Sequence, residues 1–353
     1  MKTSDLDYEL PEALIAQRPV SPRDASRLMV LDAASGEISH KVFRDLPTYL
    51  RSGDALVVNE TAVIPARLEA RRPGGGSVEL LFLRERPEAG GWEALARLSK
   101  RLRPGMRLAV GEEDGEELEV LGSVGDGRWT LRVAGGADDV LRLLERHGRA
   151  PLPPYIQAGG EAGREVESRY TTVYARTPGS AAAPTAGFHF TEGTLEACRS
   201  AGADLARVTL HVGVGTFTPV RTENLTEHRM HAEFYSVPQS AARVVDGARR
   251  VVAVGTTVAR TLESRAASGL DSGDSELFVY PGYRWRAVDA LITNFHLPRS
   301  TLLAMVMSFG GEEFVREAYR VAVRERYRFY SFGDAMLILN GGRSSGSATG
   351  TAR

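Results

Sequence analysis

The 353-residue sequence has one cysteine, Cys198, three lysines (Lys2, Lys41 and Lys100), and no apolar run near the roughly 20 residues that a membrane-spanning helix needs. A single cysteine excludes an internal disulfide and any multi-cysteine metal cluster, and it fits a reducing compartment. The opening residues carry no basic-then-apolar secretory pattern, so a cytoplasmic protein without a membrane partner is expected. The formal net charge is -1, so no whole-molecule field gathers a polyanion, and a nucleic acid would have to be held by a local patch. What the chain does have is 42% hydrophobic and 25% charged residues, enough for a sizeable core and, at this length, for two domains.

Periodicity divides the chain. Residues 27–32 and 55–58 read as strands separated by a turn and a helical stretch over 45–50, an α/β opening. From 63 to about 133, roughly six short alternating segments are split by turn clusters such as Arg72-Pro73-Gly74-Gly75-Gly76 and Gly125-Asp126-Gly127, which predicts a small barrel. A helix over 138–147 closes it, and Pro151-Leu152-Pro153-Pro154 marks the exit. Thereafter α/β alternation resumes. The expected fold is α/β: a discontinuous main domain with a mixed sheet over 1–61 and 151–340, an inserted β-barrel domain over 62–150, and a disordered tail over 341–353.

Three apolar strands in the second half end in small, hydrogen-bonding residues. Residues 207–212 lead through His211 into Gly213-Val214-Gly215-Thr216-Phe217. Residues 251–254 lead into Gly255-Thr256-Thr257 and a helix over 258–267, and residues 290–292 into Thr293-Asn294-Phe295-His296 before a helix over 300–308. Ligands of open α/β sheets settle outside the carboxyl ends of strands, so three such ends predict one shared crevice. A fourth segment, Pro184-Thr185-Ala186-Gly187-Phe188-His189-Phe190-Thr191, has the same texture, and its phenylalanines offer faces to a base. Together these loops predict a site for a nucleoside-type substrate.

Plainer explanations stand beside each feature. A lone strand-end histidine is more often structural than catalytic. Gly213 and Gly215 suit a tight turn and Gly255-Thr256-Thr257 a helix cap, and neither matches a phosphate-binding glycine fingerprint. His228 and His231, near Glu233, have a spacing usable by two metal ligands but lack a second cluster, while Cys198 reads as core beside Leu195. Within the barrel, Arg97, Lys100, Arg101, Arg103 and Arg107 form a basic patch suited to RNA or, equally, a charge-protected strand edge. The arginines from Arg316 to Arg328 alternate with Glu313, Glu317 and Glu325 and read as an exposed helix face.

Further ordered motifs are Asp7-Tyr8-Glu9-Leu10-Pro11, Arg23-Asp24-Ala25-Ser26-Arg27-Leu28, Asn59-Glu60-Thr61, Ile64-Pro65-Ala66-Arg67-Leu68 and Arg169-Tyr170-Thr171-Thr172-Val173-Tyr174. Together with the loops above, they resemble the S-adenosylmethionine:tRNA ribosyltransferase-isomerase family of queuosine biosynthesis. The resemblance continues through 183–191, 209–217, 228–233, 253–264, 291–303 and 327–338, and it covers nearly everything but the tail. The sequence departs at Glu60, where Asp is usual, at Thr171, where Gln is common, and at Val258-Ala259, where Ser-Val usually precedes Arg260. The resemblance implies an α/β domain with an inserted barrel. It implies transfer of the ribosyl group of S-adenosylmethionine, as co-substrate, to 7-aminomethyl-7-deazaguanine at the wobble position of tRNA. Epoxyqueuosine-tRNA, adenine and methionine are the implied products. No metal is expected, and the protein is expected to be a monomer.

The sulfonium acidifies the adjacent ribose methylene, so a route beginning with a basic histidine is expected, with His211 and His296 ahead of His189. Thr256, Thr257 and Asn294 would orient the ribose, Arg260 would meet the methionine carboxylate, and Glu233 would face the amine or sulfonium. Phe188, Phe190 or Phe295 would stack adenine, with Thr185, Gly213, Gly215, Thr216 and Gly255 completing the substrate contacts. Two other classes compete: a non-catalytic tRNA-binding module that uses the barrel patch, and a metal-dependent hydrolase built on His211, His228 and His231.

Overall fold

The computed structural model describes residues 1–97, 101–111, 115–133, 137–153, 155–156, 160–213, 220 and 222–343. The chain divides into two compact units, one of Met1–Thr61, Tyr155–Arg176 and Pro184–Arg353, the other of Ala62–Pro154 and Thr177–Ala183. Strands β1 (Arg27–Asp32), β2 (Glu37–Val42), β3 (Asp54–Asn59) and β4 (Thr61–Val63) come first. Then follow β5 (Arg67–Arg71), β6 (Ser77–Arg86), β7 (Gly91–Ala96), β8 (Arg107–Val110), β9 (Glu116–Gly125), β10 (Arg128–Val133) and helix α1 (Ala137–His147). After α2 (Gly160–Arg169) come β11 (Thr177–Ser180), α3 (Glu192–Ser200), β12 (Asp204–Leu210), β13 (Glu233–Ser236), α4 (Gln239–Gly247), β14 (Arg250–Val254) and α5 (Thr256–Ser268). The chain continues through β15 (Ser272–Ser275), β16 (Ala290–Asn294), α6 (Thr301–Gly310), α7 (Glu312–Arg324) and β17 (Ala335–Leu339).

The first unit is built on a nine-stranded mixed sheet in the order β15-β13-β12-β3-β14-β16-β17-β1-β2. Its centre, β12-β3-β14-β16, is parallel. These strands are apolar on both faces: every residue of β3 and β16 is buried, as expected where both sides of a parallel sheet are covered. On one face Leu28, Leu56, Val58, Val252, Val254, Ile292 and Leu337 pack with Phe43, Phe190, Leu195 and Cys198 in one core. Cys198, 1% exposed, is therefore a packing residue, and burial pushes its thiol up to about 12.

The second unit contains a closed barrel in the order β10-β7-β6-β5-β8-β9. Alternation along its strands points Leu68, Ala70, Val78, Leu80, Phe82, Leu108, Val110, Leu118, Val120 and Leu131 into a core that Val140, Leu143 and Leu144 of α1 also join. The α/β fold with a mixed sheet and an inserted barrel thus agrees with the expectation from sequence. The barrel unit also takes in Thr177–Ala183, where β11 pairs with β4; the strand pattern alone places those residues in the α/β part.

Two local expectations are corrected. The stretch expected to be helical at 45–50 is the end of a 3-10 helix, Phe43–Tyr49, which contains Pro47, a residue unable to donate an α-helical bond. The supposed tail is ordered at its start: Gly341 and Gly342 are buried, and a Cβ on either would lie within 2.5 Å of Phe309. Arg343 closes this turn by binding the Asp289 carboxylate at 2.9 and 2.6 Å. The rest of the expected tail, 344–353, lies outside the described residues. Among the described residues no helix is long and apolar enough to cross a membrane.

Candidate active site

Because β12, β3, β14 and β16 run the same way, their carboxyl ends, Leu210, Asn59, Val254 and Asn294, share one edge of the sheet. β17 and β1 run oppositely there, so Ala335 and the residue before Arg27, Ser26, lie along the same edge. This is where small polar residues end each apolar run. Gly255 bridges β14 to α5 with φ +93, a conformation that favours glycine, and a Cβ there would come within 3.3 Å of Ala186 Cβ. The 184–190 segment therefore crosses this edge, and the described parts of the four expected loops lie along it. The helix starts earlier than its pattern suggests, placing Thr256 and Thr257 in the first turn of α5.

Asn59 is the tie at the centre. Fully buried, it donates from Nδ2 to the Leu210 carbonyl (3.0 Å) and Thr257 Oγ1 (3.3 Å), while its Oδ1 accepts from the N–H groups of Leu210 and Thr61 (both 3.1 Å). Thr61 Oγ1 lies 2.8 Å from His211 Nδ1. The His211 ring is partly buried and stacks on Phe234 at 5.9 Å and 24°. Burial holds its pKa below the ordinary histidine value, so at neutral pH it is an uncharged base.

The other two histidines sit differently. His189, 3% exposed, has Nδ1 at 2.7 Å from Ser26 Oγ. Burial pushes its pKa down to about 4, opposed by the Asn294 side chain, whose oxygen favours the protonated ring. His296 has Nε2 at 2.8 Å from Thr293 Oγ1, and burial takes it to about 3. Its backbone is pinned on both sides: the Tyr8 hydroxyl donates to its carbonyl at 2.5 Å, and its N–H donates to Tyr319 Oη at 3.0 Å. Asn294 Nδ2 donates to the Tyr330 carbonyl at 2.8 Å, so this side chain braces the 330–331 loop.

Glu233 and Arg260 form a buried ion pair, each 5% exposed at the side chain, with Nη1 to Oε2 at 2.5 Å. The second carboxylate oxygen accepts the Gly213 N–H (2.7 Å), and Arg260 Nη2 donates to the carbonyls of Ser275 (2.7 Å) and His231 (3.1 Å). Each charge is thus engaged by the protein, and the roles expected of these residues toward the methionine zwitterion require opening the pair. Beside them is a cavity of about 20 Å³ lined by Thr256, Thr257, Phe278, Thr301 and Met305. It has room for about one water, and two buried polar atoms on its wall, Arg260 Nε and Thr301 Oγ1, have no partner among the described residues.

The three phenylalanines expected to stack adenine are core residues. Phe190 and Phe295 are fully buried and Phe188 is 5% exposed. Phe188 stacks on Phe332 at 5.7 Å, Phe190 meets Phe43 edge-on, and Phe295 packs among Tyr319, Tyr327 and Phe329. Two partly buried tyrosine rings near this edge, Tyr155 and Tyr330, lie 4.0 Å apart between centroids, with Tyr330 at φ +76. Reasoning from sequence missed them, along with Ser26, Asn59 and Thr61. Asn59 left a signal, since it ends the apolar run 55–58 as the other strand-end residues end theirs. Thr185, partly buried, begins the 3-10 turn Thr185–His189; Gly215 and Thr216 lie outside the described residues.

In the barrel unit Arg97, Arg101, Arg103 and Arg107 are exposed, whereas Lys100 lies outside the described residues. Glu79 stands 3.8 Å from Arg97, and Glu117 pairs with Arg107 at 3.0 Å. No group of three or more His, Cys, Asp or Glu able to hold a metal comes together among the described residues, which leaves the hydrolase built on His211, His228 and His231 without a ligand set.

Comparison with known proteins gives a consistent answer. A family model described as queuosine biosynthesis protein matches residues 3–338. The S-adenosylmethionine:tRNA ribosyltransferase-isomerase of Rubrobacter xylanophilus is 69% identical, over 98% of this chain and 99% of the relative. The enzyme of that name from Thermotoga maritima is 50% identical, over 96% and 100% respectively. A crystal structure titled S-adenosylmethionine tRNA ribosyltransferase, also from Thermotoga maritima, aligns with a TM-score of 0.55 at 41% identity, covering 95% of this chain and 100% of that one.

Proposed function

We propose a function on one premise, that the chain belongs to the queuosine biosynthesis protein family: it is an S-adenosylmethionine:tRNA ribosyltransferase-isomerase. It moves and isomerises the ribosyl group of S-adenosylmethionine onto the aminomethyl group of 7-aminomethyl-7-deazaguanine in tRNA, giving epoxyqueuosine-tRNA, adenine and methionine. In this reading the modified base occupies the wobble position, and the protein works as a cytoplasmic monomer.

The chemistry is assigned to the carboxyl edge of β12-β3-β14-β16, and one observation carries the choice of base. His211 is partly exposed, with Nδ1 held by the Thr61 hydroxyl and Nε2 without a partner among the described residues; His296 is partly exposed as well, but there the nitrogen held by a threonine hydroxyl is Nε2. His189 is buried in a hydrogen bond to Ser26, and His296 has its Nε2 engaged by Thr293. Depressed toward 4 and 3, both are also poorer bases near pH 7. His211 Nε2 takes a proton from the ribose methylene next to the sulfonium, and the first turn of α5 with Thr256 and Thr257 orients the ribose. Tyr155 and Tyr330 offer the aromatic surface that the buried phenylalanines do not. Exposed barrel arginines hold the tRNA backbone.

Adenine release tests the reading. His211→Ala should lower turnover about a hundredfold or more, and His296→Ala should lose less; turnover of His211→Ala within about threefold of the parent protein would remove the assignment. A tRNA-binding module without catalysis would bind RNA indifferently to S-adenosylmethionine, whereas the transferase is stabilised thermally by that ligand alone.

A further inference from the structure

We propose that Thr61 is a positioning residue that selects the tautomer and aim of His211, and that Asn59 is the clamp holding Thr61 in place. The inference rests on the assignment of His211 as base.

A neutral imidazole accepts a proton through only one nitrogen, and which one depends on what the other is bonded to. For Nε2 to be the base, Nδ1 must carry the hydrogen and find an acceptor. Thr61 Oγ1, 2.8 Å from Nδ1, stands where that acceptor is needed. A hydroxyl can donate as well as accept; when Thr61 accepts, Nε2 is left as the base, and no charge stands beside the partly buried ring, such as a carboxylate would place there. The remaining freedom of His211 is removed elsewhere: its N–H donates to the Phe234 carbonyl at 3.0 Å, and its ring lies against the Phe234 ring.

Thr61 is itself held. It is 1% exposed, and its N–H binds Asn59 Oδ1. Asn59 uses both amide hydrogens and accepts twice at its oxygen, so its carboxamide orientation is determined by four bonds. These bonds reach Leu210, which precedes His211, and Thr257, which lines the small cavity beside Arg260. One side chain therefore sets the imidazole, its hydroxyl partner and the start of α5 in mutual register. Residues 59 and 61 lie two apart at the end of an extended run, a spacing that returns both side chains to one side. This explains how one chain segment supplies both the clamp and the hydroxyl.

The test uses the full-length protein with Thr61→Val, which removes the hydroxyl at nearly constant shape, and Thr61→Ser, which keeps it. Two quantities are read: kcat and KM for S-adenosylmethionine from adenine release, and the ¹⁵N shifts of His211 in histidine-labelled protein. Thr61→Val is expected to lower kcat about tenfold to a hundredfold with KM within about twofold, and to turn a single Nδ1-protonated ring into a mixture of tautomers. Thr61→Ser is expected to restore both. If Thr61→Val does not fold, Thr61→Ala carries the same expectation. Unchanged kcat with an unchanged ¹⁵N pattern overturns the proposal, as does a serine variant as impaired as the valine one. A tautomer change in Thr61→Val, combined with normal turnover in His211→Ala, would refute the base assignment while leaving the positioning intact.

Discussion

Replacing Glu233 with glutamine probes the buried ion pair with little change of shape. In the native protein the carboxylate answers both the Arg260 guanidinium and the Gly213 N–H, at 2.5 and 2.7 Å, with both side chains 5% exposed. Glu233→Gln leaves the guanidinium charge in the same dry place without its carboxylate, facing a neutral amide and the carbonyls of His231 and Ser275. Removing one partner of a buried pair costs about 3–5 kcal/mol. At about 2 °C per kcal/mol for a unit of this size, the melting temperature falls by about 6–10 °C. The double variant Glu233→Leu with Arg260→Met removes both charges. Its loss should fall short of the summed single losses of Glu233→Leu and Arg260→Met by at least about 2 kcal/mol, measured by urea and thermal unfolding. Strictly additive losses, or a glutamine variant melting within about 2 °C of the parent, would refute the structural reading of the pair. A variant that melts normally but shows a raised KM for S-adenosylmethionine would return the two residues to the ligand-clamp roles expected from sequence.

Two further outcomes concern groups outside that pair. His189 is held neutral by burial, its pKa lowered from 6.5 to about 4, so its contribution to stability is intact above pH 6.5 and is lost as pH falls toward 4, about 3 kcal/mol in all. His189→Gln should flatten this part of the unfolding-midpoint curve, and identical pH slopes in the two proteins would contradict it. In the barrel, Arg101→Ala with Arg103→Ala should weaken tRNA binding at low salt and reduce the slope of log affinity against log salt by about 0.7–0.9 for each phosphate no longer neutralised; an unaltered slope would leave these arginines as a solvated strand edge.

Strand ends are legible in the sequence because burial on both faces demands uninterrupted apolar runs, and the first polar residue after each run marks where the sheet meets solvent. His211, Gly255 and Asn294 announce themselves in this way, and Asn59 does so equally. What lies across the sheet is not legible. Glu233 and Arg260 are 27 positions apart, and their pairing depends on β13 and α5 meeting, which no local periodicity encodes. The phenylalanines mislead for a related reason: an aromatic near a polar loop has the same local signature whether its face is open or packed. Phe190 is enclosed by Phe43 and Tyr174, residues contributed by segments elsewhere in the chain. Tyr330, whose unusual backbone is set by a loop, leaves no compositional trace.

The position of β3 also bears on how the chain is made. This strand lies in the middle of the sheet with every residue buried, yet its neighbours β12 and β14 emerge only after the barrel, and the tie from Asn59 to Leu210 spans 151 residues. At about 5–20 residues per second, a nascent Ala55–Val58 segment waits about 8–30 s on the ribosome with both edges unpaired. The barrel, whose strands pair mostly with near neighbours, can close during that interval. Biosynthesis therefore has a vulnerable period of its own, in which an apolar strand must be shielded from other chains until its partners arrive.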